Sequence, residues 1–369
     1  MKSIKPFILL VALVLITALI IYLQFIKLPK SLPGDGDITP ANLSKEEKIK
    51  KYPLAKEITT PDGFINTGKI SVSEFIGKKV VLIDFWTYSC INCQRTIPYL
   101  NSWYEKYKDK GLVIIGIHTP EFEFEKDYNN VKRAVEKFGI KYPVVLDNDF
   151  STWTSYKNHF WPRKYLIDID GYIVFDHIGE GGYETTEKKI QKALEERMAV
   201  LGQDLTIEQP LTKETPVLSG KISPETYFGA SRNQLLANAS PGAVGEQNNL
   251  TIPTQIKTDK LYLSGNWNIA SEFAQNNSIN AGIAYKYNAK DVFFVSEADV
   301  QTIVEVTVDG KPLSKNIGAD VVKTSDSKTI VKIKEARLYK IIEGNQTETH
   351  ILELKIQQPS LKAFTFTFG

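Results

Sequence analysis

An apolar run that ends in two cysteines three positions apart constrains this chain more than any other feature in it. Val80-Val81-Leu82-Ile83-Asp84-Phe85-Trp86 has the composition of a buried strand, and Cys90-Ile91-Asn92-Cys93 follows at the start of a segment with helical character. A strand that ends in CxxC and opens into a helix sets the first sulfur against unpaired backbone N–H groups and the positive end of the helix dipole. In that setting a thiol's pKa falls from about 8.5 toward roughly 3.5–7.5. The chain has 2 cysteines in all. No structural disulfide supports the fold, and no third thiol diverts dithiol/disulfide exchange.

Around this motif the pattern alternates between strands and helices. Strands are expected over 80–86, 112–118 and 144–146, with a hairpin of 165–169 and 172–177 about Asp170-Gly171. Helices are expected over 91–108 (containing Pro98), 129–138 and 184–201, giving a small α/β sandwich over 61–204. Residues 205–225 carry three prolines and no apolar period, which predicts a linker. Beyond it the periodicity becomes two. Strands are expected over 282–287, 292–297, 303–308, 329–333, 337–342, 350–356 and 363–368, separated by turn signals such as Asp309-Gly310 and Gly344-Asn345. That predicts an all-β jelly roll or β-sandwich over 226–369.

The N-terminus reads differently again. Residues 7–26 form a 20-residue uncharged run, long enough as a helix to span roughly 30 Å of hydrocarbon. It exceeds the usual h-region of a signal peptide, and Lys27-Leu28-Pro29-Lys30 follows instead of an A-x-A-like cleavage site. An uncleaved anchor over 1–27 is expected, then a Pro/Gly/Lys/Asp-rich tether over 28–60 with a short helix near Ser44. Lys2, Lys5, Lys27 and Lys30 flank the span almost evenly, so charge hardly orients it. A tethered CxxC suits the oxidising, extracytoplasmic side of a cell membrane. Lys+Arg 45 against Asp+Glu 43 lacks the basic excess of a nucleic-acid binder.

Within the motif, Cys90 holds the exposed, attacking position, and Cys93, one turn inward, resolves the mixed disulfide. A zinc site would need two further ligands from His118, His159, His177 and His350, none at finger spacing. Asp84 sits in an apolar strand, where burial raises a carboxylate's pKa and suits it to take the Cys93 proton. The alternative is a strand-end aspartate bonded to a nearby donor. Glu121, Glu123 and Glu125 alternate with Phe122 and Phe124, as in an edge segment with one wet face. Arg95 is expected to point to solvent, His118 to be a satisfied strand-end residue, and Trp86 and Trp153 to be core aromatics. In the last segment Tyr262, Trp267, Tyr285, Tyr287 and Tyr339 read as core.

The longer stretches are similar to a known family. Asp84-Phe85-Trp86 ahead of the cysteines and Pro98 behind them match the thioredoxin pattern. Phe85 through Cys93, His118-Thr119-Pro120-Glu121-Phe122-Glu123-Phe124-Glu125, Trp161-Pro162, Lys164-Tyr165-Leu166-Ile167-Asp168 and Gly179-Glu180-Gly181-Gly182-Tyr183 resemble the extracytoplasmic part of DipZ-type cytochrome c biogenesis proteins, a thioredoxin-like relative of TlpA. The resemblance continues through Tyr227-Phe228-Gly229, Leu263-Ser264-Gly265-Asn266-Trp267, Ala336-Arg337-Leu338-Tyr339 and Phe364-Thr365-Phe366-Thr367-Phe368-Gly369, so it covers roughly 61–369.

That likeness implies a thioredoxin-like α/β domain, a cis-proline at Pro162 facing the cysteines, and a buried aspartate at Asp84. Trp161 would then pair its backbone with an extended substrate segment, and Ser89, Ile91 and Asn92 complete the expected substrate contacts. Ser89 departs from the tryptophan usual in thioredoxins. The likeness also implies no cofactor beyond a redox-active Cys90–Cys93 disulfide, a reducing role, and protein substrates with disulfides or thiols, cytochrome c apoproteins among them. The family's last domain is described as carbohydrate-binding-like, which makes carbohydrate a possible ligand by fold analogy alone. DipZ proteins carry a multi-helix CcdA-like membrane part, whereas one span is expected here, so a separate CcdA-like dithiol carrier is the expected electron donor. The rival readings are a surface glycan-binding or adhesion protein with an inert α/β scaffold, and a metal-delivery protein.

Overall fold

The computed structural model describes residues 44–203, 206–207, 209–210, 212 and 222–369. The expected span over 7–26 and most of the linker over 205–225 lie outside the described residues. Among the described residues no helix is long and apolar enough to cross a membrane.

After a short helix, α1 (Lys45–Lys51), the first unit is built on six strands. They are β1 (Gly63–Ile65), β2 (Val80–Trp86), β3 (Leu112–His118), β4 (Val144–Leu146), β5 (Arg163–Ile167) and β6 (Ile173–Ile178). Their order is β1-β4-β3-β2-β5-β6, with β2 parallel to β3, β3 parallel to β4, and the remaining pairs antiparallel. All of β2 is buried, because it lies centrally with both faces covered. Such a strand needs apolar side chains at successive positions, which VVLIDFW supplies except at Asp84. Val80, Leu82 and Trp86 feed one core, and Val81, Ile83 and Phe85 feed another on the opposite face. Four further helices complete the unit: α2 (Ile91–Tyr107), α3 (Tyr128–Lys137), α4 (Ser151–Ser155) and α5 (Tyr183–Leu201). The Asp127 carboxylate caps α3 by accepting from the N–H groups of Asn129 and Asn130.

Residues 44–60 are mostly exposed and carry the expected short helix, but they are fastened to the first unit at a few points. A capping box between Ser44 and Glu47 starts α1. Lys48 is then buried, pairing with Asp168 at 2.8 Å, Asp170 at 2.7 Å and Glu196. Beyond it, Ile173 donates to the Pro53 carbonyl and Ala55 to that of Gly171. A lysine in a run of Lys and Glu has nothing along the chain to announce burial; three carboxylates distant in sequence decide it.

The second unit is all-β, its eleven strands joined in one hydrogen-bonded sheet. Two of them are long: Ala281–Ala298 and Arg337–Ile356. Each merges two expected strands. Register shifts between Ala289 and Asp291 and between Val292 and Phe293 explain the broken pattern, since a bulge interrupts the period without ending the strand. The Gly344-Asn345 turn signal falls in such a bulge opposite Lys290. A Cβ at Gly344 would stand 2.5 Å from the Lys290 carbonyl oxygen, so glycine is required by a close approach here, not by a turn. Strand Ala281–Ala298 pairs at one end with Leu261–Ile269 and at the other with Leu361–Phe368, and Ala274–Asn276 bridges those two. These four strands therefore form a closed ring of pairings within the sheet. Three strands that were not anticipated, Gly245–Leu250, Leu261–Ile269 and Ala274–Asn276, lie in that region.

The two units pack together. Ile91 and Phe122 of the first share an apolar cluster with Phe293, Val295, Leu338 and Phe364 of the second.

Candidate active site

Cys90 is the N-cap of α2, and its Sγ accepts a hydrogen bond from the Cys93 N–H at 3.3 Å. Helix start, strand end and sulfur coincide because β2 ends at Trp86 and only Thr87-Tyr88-Ser89 separates it from the cap. The arrangement gives an anionic sulfur a backbone donor and the positive end of a 17-residue helix. Both cysteines are free; Cys90 is half-buried and Cys93 buried. Burial, the Cys90 contact and nearby Asp84 push the Cys93 thiol well above its usual pKa. One sulfur is reachable and the other waits behind it as a thiol.

Asp84 is 1 % exposed, and burial raises its pKa to about 7, opposed by the charge of Lys164. Its Oδ1 has no hydrogen-bond partner, which removes the alternative of a carboxylate satisfied by a nearby donor. Lys164 stands opposite Asp84 in the register of β2 and β5 and is fully buried, its Nζ donating to the Gly179 carbonyl at 3.2 Å. Burial lowers the Lys164 pKa, while Asp84 and Cys93 oppose that shift. The lysine was missed because register across two strands is invisible along the chain. Tyr142 is also buried, with an unpartnered hydroxyl, and it is driven up by burial and by the charges of Asp84 and Cys93.

His118 ends β3 as expected but is only half satisfied. Its Nε2 lies 3.4 Å from the Thr87 hydroxyl, and its Nδ1 has no partner. Burial holds its pKa down at about 3, so it stays neutral near neutral pH. Trp86 is core and packs edge-on to this ring at 5.1 Å.

The Trp161–Pro162 bond is cis, and the Trp161 carbonyl oxygen lies 4.0 Å from Cys90 Sγ. Trp161 donates from its indole to the Thr119 carbonyl and packs at 4.3 Å on Trp153. Trp153 is thus a partly buried support for the groove wall and not a plain core residue. Asn92 is half-buried in the first helical turn.

Two expected substrate contacts are covered. Ser89 is 2 % exposed, its hydroxyl donating to Glu125 at 2.6 Å. Ile91 is 7 % exposed beneath the β unit. The 121–125 segment explains both, and it is not an edge with one wet face. Phe122 and Phe124 pack against Phe364 at 5.1 and 4.7 Å. Glu125 turns inward, accepting from the backbone of Glu121, Phe122 and Ser89. Burial and the Glu121 charge raise its pKa against those bonds. Arg95 is only partly in solvent: its guanidinium lies 5.6 Å over Phe293, 3.4 Å from Glu180 and 3.9 Å from Asp291.

In the β unit, Tyr262, Trp267, Tyr285, Tyr287 and Tyr339 are all buried. None of these five rings offers a face on which a sugar could stack. Among the described residues one group of carboxylates, Asp168, Asp170 and Glu196, is close enough to hold a cation. The Lys48 ammonium already fills it.

Residues 54–176 match the AhpC/TSA family, and residues 223–369 match the thioredoxin like C-terminal domain. Protein DipZ of Mycobacterium tuberculosis is 34 % identical over 324 residues, 84 % of this chain and 43 % of DipZ. The chain thus spans less than half the length of that relative. Thiol-disulfide oxidoreductase ResA of Bacillus cereus is 33 % identical over 149 residues, 40 % of this chain and 82 % of ResA. Thiol-disulfide oxidoreductase YkuV of Bacillus subtilis is 29 % identical over 140 residues, 38 % of this chain and 93 % of YkuV.

Proposed function

The chain belongs to the DipZ-type thioredoxin-like thiol–disulfide oxidoreductases, and on that premise we propose that it reduces protein disulfides through Cys90 and Cys93 outside the cytoplasm. The observation that carries this reading is the paired sulfur geometry. Cys90 caps α2 within reach of Trp161, while Cys93 donates its N–H to it from a buried position.

The Cys90 thiolate attacks one sulfur of a substrate disulfide. That S–S bond breaks, a mixed disulfide forms, and the substrate's other sulfur leaves as a thiolate that takes up a proton. Cys93 then gives its proton to the Asp84 carboxylate and attacks Cys90 Sγ. The mixed disulfide breaks, the second substrate thiol leaves, and a Cys90–Cys93 disulfide remains. The substrate has gained two electrons from the two cysteines and two protons, one from Cys93 by way of Asp84 and one from the solvent, because Cys90 entered as a thiolate. A carboxyl with a pKa of about 7 can accept that proton and release it again near neutrality. Lys164, fixed opposite Asp84, favours its ionised form and so readies it for the transfer. The Trp161 backbone beside the cis-proline lines the groove along which an extended segment lies.

Residues 7–26 anchor the protein in the membrane as a single span. A separate CcdA-like membrane dithiol carrier reduces the Cys90–Cys93 disulfide after each turnover, and cytochrome c apoproteins are a substrate class that needs such a reductant. Replacing Cys93 with Ser tests the core of this reading. Without the resolving thiol, mixed disulfides through Cys90 accumulate and mass spectrometry names the partners. Recovering none from cells rich in disulfide-bearing proteins sinks it.

A further inference from the structure

Three positions flanking Cys90 on one side engage the β unit. Ile91, the next residue, is covered by Phe122, Phe293, Val295, Leu338 and Phe364. Tyr88, two residues earlier, donates its hydroxyl to the Ala336 carbonyl at 3.1 Å. Arg95, five residues on, lies over the Phe293 ring. On the other side, Trp161 remains partly exposed beside the sulfur.

The contact is braced. The Phe364 ring meets Phe122, Phe124 and Phe273 within 4.7–5.4 Å. At the rim Arg232 pairs with Glu121 at 2.6 Å and stacks 3.7 Å over Tyr227, whose hydroxyl also donates to Glu121. The Glu123 N–H donates to Glu272. An apolar centre ringed by polar pairs has the anatomy of a standing interface. The same 121–125 segment is fastened to the cysteine loop by buried Glu125 through Ser89.

We propose that the C-terminal β unit is a built-in wall of the redox groove, restricting Cys90 to small disulfides and extended polypeptide segments and turning away disulfides held on folded surfaces. The inference rests on the oxidoreductase reading and names the substrate shape that reading leaves open. An extended segment needs only a strand's width of about 4.8 Å beside Trp161. A folded partner would have to rest on both sides of the sulfur at once, and one side is occupied.

Two measurements test it. In the Cys93→Ser protein, Cys90 is alkylated with N-ethylmaleimide and with a polyethylene-glycol maleimide. In the otherwise wild-type protein, reduction of insulin is compared with reduction of an unstructured disulfide-closed peptide. Phe364→Ala loosens the wall in each background, and Arg232→Ala does so at the rim if the first variant folds poorly. Loosening is expected to raise the bulky-to-small alkylation ratio and the insulin-to-peptide ratio each by about tenfold, the scale of a specificity set by a steric block. Ratios unchanged in a folded variant overturn the wall, as does equal alkylation of the parent protein by both reagents. If neither substrate is reduced while alkylation keeps its size selectivity, the oxidoreductase reading fails and the wall stands.

Discussion

The two units bury opposite kinds of side chain. The α/β unit encloses Lys48, Asp84, His118, Glu125, Asp147, Lys164, Asp168 and Glu187, whereas in the β unit the one buried charged side chain among the described residues is Asp291. Ionisable groups resist transfer from water, so a fold that takes in many of them must pair them or use them. In the first unit some are paired, as Lys48 is with three carboxylates. Asp84 is not, and it sits next to the buried thiol. The β unit instead buries Phe228, Trp267, Phe294 and Phe366 in a single apolar cluster. Even its exception lies where the units meet, 3.9 Å from Arg95. One unit keeps reactive groups in a low-dielectric setting, and the other supplies an apolar surface that packs against it.

The contrast is broken most directly at its extremes. Cys90→Ser is expected to lower disulfide exchange by about a thousandfold or more, as for loss of a nucleophile, with an unchanged melting curve. Trp267→Ala should do the reverse, costing about 3–5 kcal/mol of stability with the exchange rate per folded molecule preserved. Reduction of an unstructured disulfide-closed peptide and thermal denaturation on both proteins check the pair, and an exchange defect in folded Trp267→Ala would collapse the distinction.

Next in size is Lys48→Met, which leaves Asp168, Asp170 and Glu196 without their cation. Breaking a buried pair costs about 3–5 kcal/mol, and urea titration should register that loss.

Asp84 sharpens the comparison through pH. Its carboxyl holds a proton up to about pH 7 when folded and releases it near 3.8 when unfolded. Between those values the folded state binds the extra proton, so rising pH destabilises the protein by about 1.4 kcal/mol per unit at most. His118 acts in the opposite sense. It titrates at about 3 when folded and 6.5 when unfolded, so stability falls as pH drops through that window. The two slopes partly cancel between about pH 4 and 6.5. Asp84→Asn should therefore be more stable than the parent at pH 8, should expose the acid-side slope of His118, and should slow exchange about 10- to 100-fold. Parallel stability profiles for the two proteins would remove the buried carboxyl from the account.

The smallest expected effect is Tyr88→Phe. It loses one hydrogen bond to Ala336 across the interface, about 1 kcal/mol in denaturant titration.

Much of the first unit was legible along the chain. The strands Val80–Trp86, Leu112–His118 and Val144–Leu146 fall where the apolar runs stand, because a buried parallel strand writes its environment into consecutive residues. Cys90 and Cys93 were legible for the same local reason, since strand, loop, cap and helix lie within a single stretch. The cis-proline came from family likeness and not from any physical signal in Trp161-Pro162.

What the linear pattern did not carry is everything that depends on distant partners. Glu125 and Lys164 look like surface charges until Ser89 and Asp84 are brought beside them by packing and register. Phe122, Phe124 and Ile91 look like a groove edge until Phe364 and Leu338, more than 200 residues later in the chain, close over them. Periodicity reports whether a side chain is turned inward on its own element. It says nothing about which other surface, folded from another part of the chain, will arrive to cover it.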